Sequence, residues 1–209
     1  MSNKFWKSFS IVLHVLFEEI DKQQKVFTEA YTNSDDVELV NLLIEYTEID
    51  KSAGGNDAIR CASRNGHIAV MDRLLQEDRS KNRVDPSAGN NSAIRCASQF
   101  GHLAVVDRLL QDGRVDPSAN NNSAIRMASV KGHIAVVDRL LQDGRVDPSA
   151  VNNSAIRWAS INGNIAVVDR LLQDGRVDPS AVNNSAIHLA SINGKFAVVD
   201  RLVQDIRVG

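Results

Sequence analysis

The hydrophobic and polar positions of this chain return in the same order every 31 residues from position 84 onward. The tract Val-Asp-Pro-Ser-Ala begins at Val84, Val115, Val146 and Val177, and Val208 opens a further copy. Two successive copies, 115–145 and 146–176, differ at only five positions. A fixed period of this length is typical of a repeat architecture in which each copy forms one structural unit.

Within one copy, 123–153, the apolar residues predict two short helices. Ile125 and Ala128 are three residues apart, so they share one face of a first helix. A second helix has its apolar residues on one stripe, with Asp138 and Arg139 off it. That stripe consists of Ile134, Val137, Leu140 and Leu141.

Residues with special backbone preferences predict where these helices begin and end. Ser123 is a favourable N-cap for the first helix. Gly132 and Gly144 are placed to end the first and second helix, because glycine adopts the left-handed conformation at little cost. The segment 146–153 is rich in Asp, Pro, Ser and Asn, which predicts a turn or a hairpin.

Neither helix is long enough to be stable alone, since even about 12–15 residues is marginal in water. The apolar face of one copy is also too small to close a core. The copies must therefore stack against one another, and the sequence predicts an all-α solenoid of helix-turn-helix units.

The repeat resembles the ankyrin repeat, whose signature is T-P-L-H-x-A. The signature appears here as Ser-Ala-Ile-Arg-x-Ala at Ser92, Ser123 and Ser154, and as Ser-Ala-Ile-His-Leu-Ala from Ser185. Gly-His and Val-Val-x-x-Leu-Leu elements follow, as at Gly101. The copy is two residues shorter than the family's, and the family's Thr-Pro start is replaced by Ser-Ala. The resemblance implies an ankyrin-repeat solenoid with shortened hairpin or turn fingers, similar in style to ankyrin proteins of large amoeba viruses.

The resemblance covers 56–209 and divides it into five repeats: 56–90, 91–121, 122–152, 153–183 and 184–209. The first of these carries four extra residues, which predict an exposed loop over 77–82. Upstream, 23–55 aligns with a degenerate repeat. In 1–22, apolar residues on one helical face predict a helix that caps the stack. At the other end Leu is replaced by Val203 and Gly by Ile206, which leaves open an apolar, self-associating end or a chain cut at a repeat boundary.

Composition narrows the class of function. The net charge of −2 argues against general affinity for nucleic acid or anionic membranes. The apolar run 10–17 is too short to span a bilayer and is not followed by a signal-peptide cleavage site. Two cysteines in 209 residues indicate a reducing, intracellular setting, cytoplasm or nucleus; a viral origin would make it the host cytoplasm.

The residues that most often carry chemistry recur one per repeat. His67, His102 and His133 are repeat-equivalent, so stacking would form a ladder instead of a metal cluster. Cys61 and Cys96 are predicted to be buried and reduced. The recurring Asp-Arg pairs on the second helices, such as Asp138-Arg139, predict cross-repeat ion pairs on a solvated face. No nucleophile elbow, phosphate loop or zinc motif is present, so we predict no enzymatic activity, metal, cofactor or small-molecule substrate.

The positions that vary between otherwise identical copies are candidates for recognition. They are a residue in the finger, a residue of the first helix and the pair that ends that helix. The resemblance implies that fingers and first helices line a concave binding face. The predicted partner-binding residues are Gly89, Phe100, Asn120, Val130, Lys131, Val151, Trp158, Ile161, Asn162, Val182, Ile192 and Asn193.

We therefore predict a protein–protein interaction module, monomeric, whose protein partner docks on this face. Two alternatives stay open: a recruiting arm of an enzymatic assembly such as a ubiquitin ligase, or a self-associating structural spacer. The apolar side chains of the stripe, with Trp158 as an aromatic anchor, would either bind the partner or pack between repeats.

Overall fold

In a computed structural model of the chain, the residues described are 10–11, 20–33, 37–46, 49–76 and 83–205. They form twelve helices and no strand, as the repeat pattern predicts. The predicted loop 77–82, Ile206 and most of 1–22 lie outside the described residues. The helices are α1 (Ile20–Asn33), α2 (Val37–Tyr46), α3 (Ala53–Asn65), α4 (Ile68–Leu75), α5 (Ala88–Phe100), α6 (Leu103–Leu110), α7 (Ala119–Lys131), α8 (Ile134–Leu141), α9 (Ala150–Asn162), α10 (Ile165–Leu172), α11 (Ala181–Ile192) and α12 (Phe196–Val203).

The chain divides into two compact units, Met1–Ala93 and Ile94–Gly209, and the boundary falls inside α5. In the first unit α1 packs against α2 and α3, and α4 packs against α2 and α3. The rings of Phe27 and Tyr31 meet edge to face, with centroids 5.2 Å apart. The largest side chains of this unit that are fully buried are Phe27, Leu43, Ile59 and Met71.

In the second unit the helices form two layers. One layer contains the first helices α7, α9 and α11, which pack in sequence, and the other contains the second helices α6, α8, α10 and α12. Each repeat except the last contributes one fully buried large aliphatic residue from each layer, and the last contributes one from its second helix alone. These residues are Ile94, Leu109, Ile125, Leu140, Ile156, Leu171 and Leu202.

The predicted apolar stripe of α8 is only partly correct. Val137, Leu140 and Leu141 are buried, but Ile134 is 38% exposed and Val136 is buried instead. Ile134 is the first residue of an eight-residue helix, where neighbouring side chains cover less of the surface.

The predicted finger is a left-handed turn, and no hairpin forms in the described residues. Each first helix opens with three consecutive residues whose φ angles are positive, after which the right-handed helix continues. In α7 these residues are Asn120, Asn121 and Asn122, with φ between 54 and 57°. Asparagine and glycine tolerate this conformation better than other residues. The Ser- and Asn-rich segment was predicted only as a turn or a hairpin. Its asparagines favour a left-handed turn.

The serine expected as the N-cap acts differently from the prediction. The right-handed part of the first helix begins at this serine, but its hydroxyl, in the equivalents Ser92 and Ser154, donates to the carbonyl oxygen four residues earlier. That hydrogen bond spans the left-handed turn and holds it against the helix.

Two glycines of one repeat, both predicted to end helices, behave differently. Gly132 has φ of 77° and is the left-handed C-cap of α7, as expected. Gly144 is not left-handed, and α8 ends three residues before it, at Leu141. The glycine is therefore not what stops the second helix.

Candidate protein-binding surface

The predicted finger residues occupy the first position of each left-handed turn. Asn120, Val151 and Val182 are exposed in the second unit, and Gly89 is exposed at the equivalent position of the first. Val151 and Val182 both have φ of 57°, in a region where a β-branched side chain is an outlier. Each costs about 1–3 kcal/mol, and such strain tends to occur at functional sites.

The predicted residues at the ends of the first helices also reach solvent to different degrees. Ile192 is 82% exposed and Phe100 41%, whereas Val130 and Ile161 are half-buried. Lys131, Asn162 and Asn193 are exposed. Asn162 and Asn193 each donate a side-chain N–H to a carbonyl of their own helix, at 2.8 Å.

One cavity brings two of the predicted residues together. It has a volume of about 270 Å³ and is lined by Arg126, Met127, Val130 and Trp158, which belong to α7 and α9. Met127 and Trp158 occupy equivalent positions in successive repeats. We call the side of the second unit that carries this cavity, the left-handed turns and the ends of α7, α9 and α11 the first-helix face.

Arg126 is a residue of this cavity that the sequence reasoning missed. Arginine stands at the same position in four successive repeats, as Arg60, Arg95, Arg126 and Arg157, and His188 replaces it in the last. The prediction of recognition residues used only positions that vary from one copy to the next, and this one varies only in the last repeat. The signal available in the sequence was its place next to the variable Met127.

The position of His133 at the start of the second helix supports the stack. The Nε2 of His133 donates to the carbonyl of Gln99 in the preceding repeat, at 3.0 Å. Asn164 takes the same position one repeat later and donates to the carbonyls of Ser129 and Val130. These bonds satisfy carbonyl groups at the end of a helix, which otherwise lack a partner. In the described residues no group of three His, Cys, Asp or Glu side chains could hold a metal ion.

This contact also explains why a glycine ends the first helix. A Cβ atom on Gly101 would lie 2.6 Å from the ring of His133, and one on Gly132 would lie 2.8 Å from Asn164. The glycine therefore provides both the left-handed conformation and the space for the next repeat.

Arginines of the second layer form two ladders, that is, contacts that recur from one repeat to the next. The predicted cross-repeat ion pairs are present: Arg139 with Asp107 at 2.5 Å, Arg170 with Asp138 at 2.6 Å, and Arg201 with Asp169. All are partly exposed, so each contributes at most about 1 kcal/mol.

The second arginine ladder, formed by Arg145 and Arg176, was not predicted. Arg145 donates to the carbonyls of Val115 and Leu110 in the preceding repeat, at 2.9 and 3.3 Å. Asp143 holds its guanidinium from within the same turn, and the hydrogen bonds from Arg145 lower the pKa of the Asp143 carboxyl. Arg176 and Asp174 repeat the arrangement one repeat later.

A ladder of asparagine hydrogen bonds joins the turns. The side-chain oxygen of Asn122 accepts a hydrogen bond from the backbone N–H of Asp147 at 2.7 Å, and Asn153 does the same for Asp178. Asn122 therefore has two roles, since it adopts a left-handed backbone and fixes the next turn.

The two cysteines are free, and both are half-buried where burial was predicted. They lie on the first helices, next to the core residues Ala62 and Ala97. None of the helices described is long and apolar enough to cross a membrane.

Residues 27–121 and 125–209 match the family model described as ankyrin repeats (3 copies), and together they make up more than half of the chain. No curated protein matches the chain at a significant level.

Proposed function

Because the chain belongs to the ankyrin-repeat family, we propose that it binds a protein partner through the first-helix face. Ankyrin repeats are generally protein–protein interaction modules and are typically not enzymes. The stacked repeats of such solenoids create extended surfaces that suit this role. The partner would contact the turns and first helices of several repeats at once.

The observation that carries the proposal is the exposure of large apolar side chains on this face. Trp158 is 46% exposed, Val151 46% and Val182 52%. The core residues of the same part of the chain, such as Ile156 and Leu171, are fully buried. Water-exposed apolar groups that recur along one face mark interaction surfaces. An exposed tryptophan is the side chain that most often anchors an interface.

The polar ladders support the same surface. Arg139, Arg145 and Asn122, and their equivalents, are engaged in holding adjacent repeats together. A partner that docked on the second-helix layer would meet arginine and aspartate side chains already paired with each other. On the first-helix face Val151, Trp158 and Val182 are 46–52% exposed, against 37–40% for Leu103, Ile134 and Ile165 of α6, α8 and α10.

The test compares two triple variants of the full chain in affinity capture from a lysate of the source cells. The first, Phe100→Ala with Trp158→Ala and Ile161→Ala, removes apolar area from the first-helix face. The matched control, Leu103→Ala with Ile134→Ala and Ile165→Ala, removes similar area from the second helices, where these residues are 37–40% exposed. Circular dichroism and urea unfolding verify that both variants are folded.

We expect the first variant to lose a protein that the wild type and the control both capture. A captured protein that survives the first variant and is lost with the control would contradict the proposal, and would assign binding to the second helices.

A further inference from the structure

The cavity on the first-helix face combines one cation with apolar walls. Met127, Val130 and Trp158 provide the apolar surface, and Arg126 provides the guanidinium. Its volume of about 270 Å³ lies just below the range of about 300–1,000 Å³ found for drug-sized ligands. The cavity therefore fits one or two side chains of a larger partner.

The hydrogen bonds of Arg126 leave a donor without an acceptor. Its Nε–H is buried and has no partner in the described part of the chain, and one terminal nitrogen reaches the carbonyl of Asn121 at 3.4 Å. In the next repeat the Nε of Arg157 donates to the hydroxyl of Ser185 at 3.1 Å. A buried donor without an acceptor costs about 1–3 kcal/mol. A ligand would engage the terminal nitrogens of the guanidinium, which are held only by the bond of 3.4 Å to Asn121.

The charge of the surrounding helices favours an anionic ligand. Helices α7, α9 and α11 contain no aspartate or glutamate, whereas α7 and α9 carry Arg126, Lys131 and Arg157. The carboxylates of Asp107, Asp138 and Asp143 are paired with arginines of the second layer. The first helices around the cavity therefore carry net positive charge although the chain as a whole has a net charge of −2. The exposed carboxylates of Asp116, Asp147 and Asp178 lie in the segments that precede these helices, where neighbouring serines donate to them.

The group best suited to bind Arg126 is a carboxylate. A planar guanidinium matches a carboxylate with two parallel hydrogen bonds, which are stronger than those to a neutral acceptor. Beside it, Trp158 and Met127 offer apolar area and an adaptable thioether that accept an aliphatic or aromatic side chain.

We propose that the cavity takes an acidic, extended segment of the protein partner, with an apolar side chain against Trp158 and a carboxylate on Arg126. This inference rests on the function proposed above and names the chemistry of the partner. A single-stranded nucleic acid fits less well, because successive bases need successive aromatic platforms. The positions equivalent to Trp158 are Met127 and Leu189, neither of which is aromatic.

The test is selection of random peptides of about twelve residues, displayed on phage, on the immobilised full chain. Two variants copy residues that a neighbouring repeat already carries, so they preserve the fold. Arg126→His copies His188, and Trp158→Leu copies Leu189. A third variant, Arg126→Glu, reverses the charge.

We expect the wild type to enrich peptides in which Asp or Glu neighbours an aromatic or aliphatic residue. The affinity of the best labelled peptide should fall about tenfold in Arg126→His and in Trp158→Leu, as for loss of one good contact. Arg126→Glu should abolish binding of that peptide and select lysine- or arginine-containing peptides instead.

Three outcomes would overturn the inference. The first is selection of peptides without an acidic residue, or of peptides that Arg126→Glu still binds. The second is failure of the wild type to enrich any peptide. The third is binding of a labelled oligouridylate that requires both Arg126 and Trp158. None of the three affects the capture experiment above, so failure of this inference and failure of the proposed function are distinguishable.

Discussion

The two layers of the second unit differ in how their polar groups are used. In the second-helix layer Arg139 pairs with Asp107 and Arg145 reaches two carbonyls of the preceding repeat. On the first-helix face the Nε of Arg126 has no acceptor among the described residues, and its terminal nitrogens are held only by a bond of 3.4 Å to Asn121, beside Trp158, which is 46% exposed. Groups that satisfy one another stabilise the stack, and groups that are weakly held and exposed can bind a ligand. This difference between the layers leads to four predictions.

The largest effect on stability is expected from the buried residues of the second layer. Leu140 is fully buried, so Leu140→Ala should lower the free energy of unfolding by about 2–5 kcal/mol. Trp158→Ala should lower it by less than about 1 kcal/mol, because much of that side chain is already in solvent. Urea unfolding of both variants measures the difference. Equal losses would mean that Trp158 is part of the core and that the two layers do not differ in this way.

The two glycines of the repeat should respond in opposite directions to the same substitution. Gly132→Ala forces a side chain into a left-handed residue and against Asn164, so we expect a loss of about 1–3 kcal/mol. A Cβ on Gly144 meets nothing within 4 Å, and the residue is not left-handed. Gly144→Ala should therefore leave stability unchanged or raise it by about 0.5 kcal/mol. Urea midpoints of the two variants, measured side by side, test this; a destabilising Gly144→Ala would show that the second-helix end is also sterically restricted.

A valine in the left-handed turn should be replaceable with a gain in stability. Val151→Asn places a residue suited to φ of 57° where Asn120 stands one repeat earlier, and should stabilise the chain by about 1 kcal/mol. The reverse change, Asn120→Val, should destabilise it by a similar amount. If Val151 contributes to binding, the stabilised variant should bind the partner more weakly. Thermal unfolding and the capture assay together check both parts. A Val151→Asn variant less stable than the wild type would contradict the conclusion that Val151 is strained in the turn.

The smallest effect is expected from the acidic groups of the arginine ladder. Hydrogen bonds from Arg145 lower the pKa of the Asp143 carboxyl below its ordinary range in the folded chain. A carboxyl of this kind stabilises the fold above its unfolded pKa of about 3.9, and that contribution is lost as the pH falls through the lower, folded value. The wild type should therefore lose stability below about pH 4.

The variant Asp143→Asn serves as the comparison for this pH dependence. Its deficit relative to the wild type should be present at pH 7 and should shrink as the pH falls below about 4. Urea midpoints at both ends of that range measure it. A deficit that is independent of pH would mean that the carboxylate charge does not contribute to the ladder.

Much of the fold could be predicted from the sequence because successive copies of the repeat can be compared position by position. Positions such as Ile125 and Ala128 are apolar in register, and both are fully buried. Gly132 ends its helix as expected because only a few residues accept positive φ. The exposure of Ile134 and the role of Gly144 were predicted wrongly, since helical spacing does not reveal how far a neighbouring repeat covers a helix end.

The binding surface was predictable in outline and not in detail. Variation between copies identified Trp158 and Val130, which do line one cavity. The same rule excluded Arg126, because arginine fills this position in four successive repeats. Its hydrogen bonds nevertheless differ between copies: Arg157 donates to the hydroxyl of Ser185, whereas Ser154, which is equivalent to Ser185, donates to the carbonyl of Ala150.

The sequence by itself determined the period, the helix pairs, the residues that face the core and the family. These follow from local preferences and from apolar spacing, which act within one copy of the repeat. Only the tertiary structure decided that Arg145 spans to Leu110, that Asn122 fixes the next turn, and that the Nε of Arg126 has no acceptor among the described residues. Those outcomes depend on distances between copies, which the sequence of one copy does not contain.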